Sequence, residues 1–437
     1  MRPRPTAAPG RVLSWTLYDF ASTVFSVSIL SYFFPLWLAD ELGAGADLFN
    51  YITAASMVLV FLTAPLLGAL ADLGQRRKPY LAASTLLAVG CTAGLELSGS
   101  LAAAVALFVA GNLGYQWAQI FYNALLPGVA PGRSTGRVSG YGGVAGYAGT
   151  IVALAALTPL VTHPEAVRSA LGPLGFWLET EGATNSNAFL PTAALYLIFG
   201  LPALLWVPDR AAREPRPAGL VRGYREVLHT IRGLRGYAGM GAFMLSTVLY
   251  MDVSNTVVAN MALYGREVFG MEQADIRNLL LLSTVFAAAG AAGFGLVADL
   301  LGPKRTLMAV LGLWLAAIAA VAAATEAWML LLAGPLVGVV FGATGPVSRV
   351  LLIALSPPAK LGEFFGFYAL AGRFSAATGP ALTGLILTAF EPLGTGAYRL
   401  AVLSLAAATV LAMAVLARVP DRRPPEPAWN PAAEGGG

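Results

Sequence analysis

Residues 68–77 read Gly68-Ala-Leu-Ala-Asp72-Leu-Gly74-Gln-Arg76-Arg77, and residues 295–305 read Gly295-Leu-Val-Ala-Asp299-Leu-Leu-Gly302-Pro-Lys304-Arg305. The second stretch echoes the first at an offset of 227, which becomes 228 after one inserted residue. A further echo runs at offset 226, where Pro131, Gly136, Gly140 and Gly146 correspond to Pro357, Gly362, Gly366 and Gly372. Internal repetition on this scale marks a chain built from two like halves. Each stretch also closes an apolar run and opens onto a basic cluster, so it marks the end of a membrane span.

Working outward from the repeat, apolar runs near the roughly 20 residues that a bilayer core requires fall at 13–38, 48–71, 80–97, 101–125, 138–161, 189–207, 237–263, 276–298, 304–324, 328–354, 363–389 and 397–417. Of the 437 residues 57% are hydrophobic and 11% charged, against about 25% charged in soluble chains. The expected fold class is an all-α polytopic membrane protein with twelve transmembrane helices in two pseudo-symmetric six-helix bundles. The first run follows Arg2, Arg4 and Arg11, but it exceeds the roughly 7–15 residues of a signal-peptide core and reads as a retained span. Because six is even, the halves share one orientation and are related by an axis along the membrane normal.

Lysine and arginine set the orientation. Twenty-one of them fall in the termini and loops of one side, and only Arg168, Arg266, Arg277 and Arg399 on the other. Both termini are therefore expected in the cytoplasm, with the chain in a bacterial inner membrane. The formal charge of +4 reflects this topology rather than nucleic-acid binding. The expected division is a first bundle over 1–207, a cytoplasmic linker over 208–236, a second bundle over 237–420 and a disordered tail over 421–437. In the linker, Leu220, Tyr224, Val227, Ile231 and Leu234 recur at helical spacing against Arg222, Arg225, Arg232 and Arg235, the pattern of a helix lying on anionic lipid.

Small counts exclude other chemistry. One cysteine, Cys91, rules out disulfide frameworks and thiolate metal clusters, and His163 and His229 are too far apart for a zinc-protease helix. Lys78, Lys304 and Lys360 follow Arg, Pro and Ala, so no Gly-Lys-Ser/Thr phosphate loop exists. No enzyme, metal or cofactor is expected, and any transport is driven by a gradient rather than by ATP bound to this chain.

In the fourth span Asn112, Gln116, Gln119 and Asn123 are spaced by 4, 3 and 4, which puts four amides on one helix face. Lipid would leave them without partners, so this face must meet protein or a water-filled cavity. Offset 226 places Gly338, Gly342, Gly345 and Arg349 opposite them on the tenth span. Interhelical bonding by the amides and close packing by the glycines would account for the same pattern without a ligand. The glycines of Gly140-Tyr-Gly142-Gly-Val-Ala-Gly146 are read as packing residues, since the string follows no strand.

Charges within spans cost about 2.5–3.5 kcal/mol each and mark functional candidates; here they are Asp19, Asp252, Arg349 and Arg373. Two acids and two bases suggest pairing. The expected substrate site comprises Tyr18, Asp19, Asn112, Gln116, Gln119, Asn123, Asp252, Asn255 and Arg349. Such a set suits a zwitterion, whose ammonium meets an acid and whose carboxylate meets the arginine fork. Sugars held by the amides and organic anions or drugs held by arginine are alternatives. Neither histidine lies in a span, so Asp252, with Arg373 as its partner, and Asp19 are the expected proton-coupling groups.

The two opening stretches resemble the loop signature of the major facilitator superfamily. Asp72-Leu-Gly74 is one residue shorter than the usual Asp-x-x-Gly, whereas Asp299-Leu-Leu-Gly302 is regular. Trp15-Thr-Leu-Tyr18-Asp19-Phe-Ala21-Ser22, Phe121-Tyr-Asn123-Ala-Leu-Leu-Pro127, Gly136-Arg-Val-Ser-Gly140 and Gly362-Glu-Phe-Phe-Gly366-Phe-Tyr368 look like the autophagy-related vacuolar effluxer branch and its bacterial relatives. The resemblance implies alternating access in a secondary transporter, export or release of amino acids, and a cavity lined by helices one, four, seven and ten. It also implies a cytoplasmic gate at Asp72, Arg76, Arg77, Asp299 and Arg305, where each carboxylate can pair with cations and face a neighbouring helix N-terminus. The partners expected are a small-molecule substrate, membrane lipid and protons, and the chain is read as a monomer. A lipid flippase, which needs an apolar lateral path, and a receptor or scaffold, which needs no polar stripe, remain alternatives.

Overall fold

The computed structural model describes residues 8–43, 46–74, 76–175, 177–180, 184–209, 219–233 and 236–425. Arg2, Arg4, Arg210, Arg213, Arg216, Leu234, Arg235 and the tail from 426 onward lie outside the described residues. Long helices occupy the expected apolar runs: α1 (Pro9–Asp40), α2 (Ala46–Gly74), α3 (Lys78–Leu95), α4 (Leu101–Val129), α5 (Thr135–Thr162), α6 (Phe189–Trp206), α7 (Met240–Phe269), α8 (Gln273–Leu301), α9 (Pro303–Ala323), α10 (Ala327–Leu355), α11 (Leu361–Ala389) and α12 (Thr395–Ala417). Among the described residues nine of these are long and apolar enough to cross a membrane, and α7, bent by 47° between Val258 and Asn260, makes a tenth. The other two carry more polar side chains: Ser84, Thr85 and Thr92 are turned inward on α3, and α11 holds Glu363, Arg373 and Ser375.

Local chemistry sets where several helices begin and bend. Pro9, Pro79 and Pro303 occupy first turns, where a missing N–H costs nothing. The Ser100 hydroxyl accepts from the N–H of Ala103 and caps α4. α1 widens to π-helical turns over Ser26–Tyr32. In α7 the Asn260 side chain donates back to the Thr256 carbonyl at 2.9 Å, a local bond that competes with the backbone ladder at the bend.

The packing repeats as the sequence does. In the first half α1 packs on α5 and α6, α3 on α4 and α6, and α2 on α4. Adding six to each label gives the packing of the second half: α7 on α11 and α12, α9 on α10 and α12, α8 on α10. The two main seams between the halves, α2 with α11 and α5 with α8, are exchanged by the same operation. Apolar side chains such as Phe61, Leu62, Val285 and Leu385 face outward, as a bilayer requires.

Glycine makes both seams possible. A Cβ on Gly366 would stand 2.8 Å from the Ala64 carbonyl oxygen, and one on Gly136 would stand 2.5 Å from the Gly295 carbonyl oxygen. The helices therefore meet backbone to backbone. Between the halves, a helix over Leu220–Arg232 lies against α2, where Gly223 meets Leu66 and Leu70, and exposes Val221, Tyr224, Leu228 and Ile231. After α12 the chain stays close to the second half: Asp421 pairs with Arg305 at 2.8 Å, and Arg423 donates to the Leu300 carbonyl at 3.0 Å. The tail expected to be disordered from 421 thus begins with held residues.

Candidate functional site: a charged cavity above two crossed latches

At the end of the molecule that carries the basic loops, each repeated aspartate reaches into the opposite half. Asp72, at the end of α2, accepts the backbone N–H of Glu363 in the first turn of α11 at 2.9 Å. Asp299, at the end of α8, accepts the N–H groups of Gly136 and Arg137 in the first turn of α5 at 2.7 and 2.8 Å. The positive end of a helix dipole and its unpaired N–H groups favour a carboxylate there. Arg77 holds Asp72 from the side, with Nη2 2.7 Å and Nε 3.1 Å from Oδ1, and extends to the Pro358 carbonyl at 3.1 Å.

The remaining gate candidates lie elsewhere. Arg76 is exposed. Arg305 pairs with Asp421 rather than Asp299, because the Asp299 oxygens face α5.

Lys360, just ahead of α11, ties the linker helix to this end. Its Nζ lies 2.6 Å from Glu226 and 2.7 Å from the Thr230 hydroxyl, and 3.4 Å from Glu363. Burial works against its charge, but Glu226 and Glu363 outweigh that and hold the ammonium above its ordinary pKa.

Above the latches a cavity of about 530 Å³ lies between the halves, lined by α1, α4, α5, α7, α10 and α11. Asp19 Oδ2 on α1 stands 3.5 Å from Arg349 Nη1 on α10, so the pair spans both halves. The Arg349 guanidinium lies 5.3 Å from the Trp15 ring centroid and 5.9 Å from that of Tyr122, a cation–π setting. The glycine at 142 leaves room for this arrangement, since a Cβ there would collide with the Asp19 carboxylate and come within 2.7 Å of Trp15. Arg349 Nη1 and Asn123 Oδ1 are both buried without a hydrogen-bond partner among the described residues. Buried polar atoms in that condition call for a water or ligand partner.

On the other wall Arg373 Nη2 donates to Gln116 Oε1, joining α11 to α4. Gln116 Nε2 in turn donates to Asn112 Oδ1 at 3.1 Å, and Asn112 Nδ2 to Ser56 at 2.7 Å. Of the candidate substrate-site residues, Gln116, Gln119, Asn123, Asn255, Asp19 and Arg349 line the cavity.

Three expectations need correction. Tyr18 is fully buried in the first half, its hydroxyl 2.6 Å from Thr85 and 3.2 Å from Tyr196, and its ring stacked on Tyr122. It sits one residue from Asp19, so it points about 100° around the helix into α3 and α6. Asn112 is fully buried and does not line the cavity; its amide is turned to α2, where it donates to Ser56. Asp252 accepts from Thr378 at 2.8 Å and pairs with no arginine among the described residues. Met251, Ser254 and Asn255 line the cavity, which turns Asp252 toward α11.

Thr23, Tyr147, Ser254 and Tyr368 line the cavity without having been anticipated. Offset 226 makes Tyr147 the counterpart of Arg373, so the repeat carried a signal for it.

Through Thr150 the cavity adjoins a larger groove of about 1340 Å³ at the end away from the latches, between α5 and the facing ends of α7 and α8. Leu154, Ala155, Ile276, Leu280 and Leu281 line its walls, with Arg266, Arg277 and His163 near its mouth. The helices that meet through glycine at the latched end therefore diverge at the other. The smaller cavity is the candidate site, because the charged residues of the spans converge there.

The family described as Vacuole effluxer Atg22 like matches residues 45–135 and 131–424. The MFS-type transporter YxiO of Bacillus subtilis (strain 168) is 27% identical over 93% of this chain and 94% of its own. Autophagy-related protein 22 of Pyricularia oryzae is 24% identical over 52% of this chain and 38% of its own. Among solved structures, the Major Facilitator Superfamily transporter FucP in the outward conformation superposes with a TM-score of 0.72 at 14% identity, covering 94% of this chain and 99% of that one.

Proposed function

Because the chain belongs to the Atg22-like vacuole effluxer family, and is thus an integral multi-pass secondary transporter of the major facilitator superfamily rather than an enzyme, we propose that it moves a small carboxylate-bearing solute, an amino acid or related zwitterion, by alternating access through the central cavity. The observation that carries this reading is the Asp19–Arg349 contact, 3.5 Å long, which bridges the halves through an Arg349 nitrogen that is buried and makes no hydrogen bond among the described residues. A zwitterion replaces that contact with two: its ammonium goes to Asp19 and its carboxylate to the Arg349 fork. Gln116, Gln119, Asn123 and Asn255 then read the remainder of the solute.

In this reading the latched end faces the cytoplasm, as its basic loops direct, and the cavity opens outward. The two halves rock against each other while the helix of Leu220–Arg232 lies on the inner leaflet. Releasing Asp72 from α11 and Asp299 from α5 opens the cytoplasmic side. Asp19 becomes the preferred proton-coupling group, because it is the one acid among the described residues that line the cavity. The apolar groove beside the cavity favours a second reading, in which amphipathic molecules enter laterally from the outer leaflet.

The test is a thermal-shift screen of the purified chain against amino acids, sugars, nucleosides, drugs and short-chain phospholipids, since a ligand that binds only the native state raises its apparent stability. Amino-acid hits that vanish in Arg349→Ala, with folded yield retained, support the proposal. Hits confined to phospholipids overturn it in favour of the second reading.

A further inference from the structure

We infer that the cavity selects solutes carrying one net negative charge, and that Arg373 holds the extra carboxylate at the place Gln116 occupies in the structure. This deepens the transporter reading above and rests on it.

The inference starts from a charge count. Among the described residues that line the cavity, Asp19, Arg349 and Arg373 are the ones that carry full charge. Asp19 answers Arg349 across the halves. Among the described residues Arg373 is answered only by a neutral amide. The chain of bonds behind that amide supplies no negative charge either, because each link donates onward: Arg373 to Gln116, Gln116 to Asn112, Asn112 to Ser56, and Ser56 to the Thr53 carbonyl. Asp252, the second of the two acids expected at the site, is turned to Thr378.

The wall therefore has one positive charge in excess. While the cavity is open, water screens that charge. Alternating access requires the cavity to close, and a guanidinium shut away from water needs a paired anion. A neutral zwitterion leaves the excess in place. A solute with a second carboxylate removes it. The guanidinium has five N–H donors in a planar fork matched to a carboxylate, and Arg373 makes no other hydrogen bond among the described residues. The amide of Gln116 is thus a stand-in that an anionic solute displaces.

Matched pairs of nearly equal shape isolate the charge: L-glutamate with L-glutamine, L-aspartate with L-asparagine, and lactate with propane-1,2-diol. Binding of each to the purified full-length protein is measured by thermal shift and titration calorimetry at constant ionic strength. In at least one pair the anion is expected to bind ten times or more tightly than its neutral twin, about 1.4 kcal/mol. Arg373→Gln is expected to bring that ratio to within about twofold, whereas Arg373→Lys keeps most of it at lower affinity. Gln116→Glu offers an independent route, since it gives Arg373 a built-in counter-ion and leaves the arginine in place. It is expected to weaken the anion at least ten times more than the neutral twin, a difference no loss of folding would imitate. Equal binding within every pair, or a preference for the neutral members, overturns the inference while the transporter reading stands. A ratio that survives both Arg373→Gln and Gln116→Glu also overturns it. Silence of all these compounds and of the wider screen overturns both.

Discussion

Replacing Asp72 with asparagine should loosen one of the two latches by an amount that the structure apportions. Two kinds of bond meet at this carboxylate. The bonds from Arg77 come from the same half of the molecule, so they survive when the halves separate and do not favour either state. The bond from the Glu363 N–H, 2.9 Å long and made to the first turn of α11, exists only while the halves are closed here. A hydrogen bond to a charged acceptor is worth about 1.5–3 kcal/mol, and a charge at a partly buried helix N-terminus contributes up to about 2 kcal/mol. Asparagine keeps the size and one carbonyl oxygen but loses the charge, so a loss of about 2 kcal/mol is expected, roughly thirtyfold in the equilibrium between the two states. Asp299→Asn removes the equivalent charge from α5 on the other seam. The sites share no partner, so the double replacement should shift the equilibrium roughly a thousandfold. Pulsed spin-label distances between Thr158→Cys on α5 and Leu281→Cys on α8, in a Cys91→Ala background, report on the open end. Each single replacement should add population at shorter distance, and the pair should make it dominant. Unchanged distance distributions in the double variant would refute the latch.

Two further outcomes are expected. Tyr18→Phe should lower stability by about 1–2 kcal/mol, the net value of the two buried hydrogen bonds its hydroxyl makes to Thr85 and Tyr196, while binding of any ligand found in the screen stays unchanged; lost affinity at normal stability would put Tyr18 back in the site. Asp19→Asn should abolish accumulation of that ligand driven by a pH gradient yet keep exchange of labelled for unlabelled solute, whereas Asp252→Asn keeps both; the opposite pattern would return coupling to Asp252.

Much of the fold was legible because membrane spans and their repetition are written in composition. The offset near 227 located both aspartates at the ends of their spans, and the structure adds their crossing: Asp72 meets the Gly362–Glu363 turn, and Asp299 the Gly136–Arg137 turn, which are themselves counterparts in the repeat. The site was legible only in part. Spacings of 4, 3 and 4 place Asn112 and Gln116 on one face, but periodicity does not say where along that face a cavity ends and a neighbouring helix begins. Tyr18 and Asp252 were misplaced for a related reason. A polar residue adjacent to a lining residue, Asp19 in one case and Met251 in the other, is turned about 100° away from it. Pairing was harder still. Four intramembrane charges suggest two ion pairs, yet only Asp19 and Arg349 meet; Arg373 takes a neutral amide and Asp252 a hydroxyl. Which charges meet depends on tertiary packing, which a single sequence does not encode locally.

Gly345 offers the most direct measurement of alternating access through this cavity. It lines the cavity on α10, and a Cβ there would meet nothing within 4 Å, so cysteine fits without strain. Gly345→Cys in the Cys91→Ala background can be labelled with a membrane-impermeant maleimide in right-side-out and in inverted vesicles. Rapid labelling is expected from the outer face alone while the latches are intact, and mainly from the cytoplasmic face once Asp72→Asn and Asp299→Asn are added. Equal labelling from both faces, or a preference that ignores the latch residues, would contradict a cavity whose access is switched by the two crossed carboxylates.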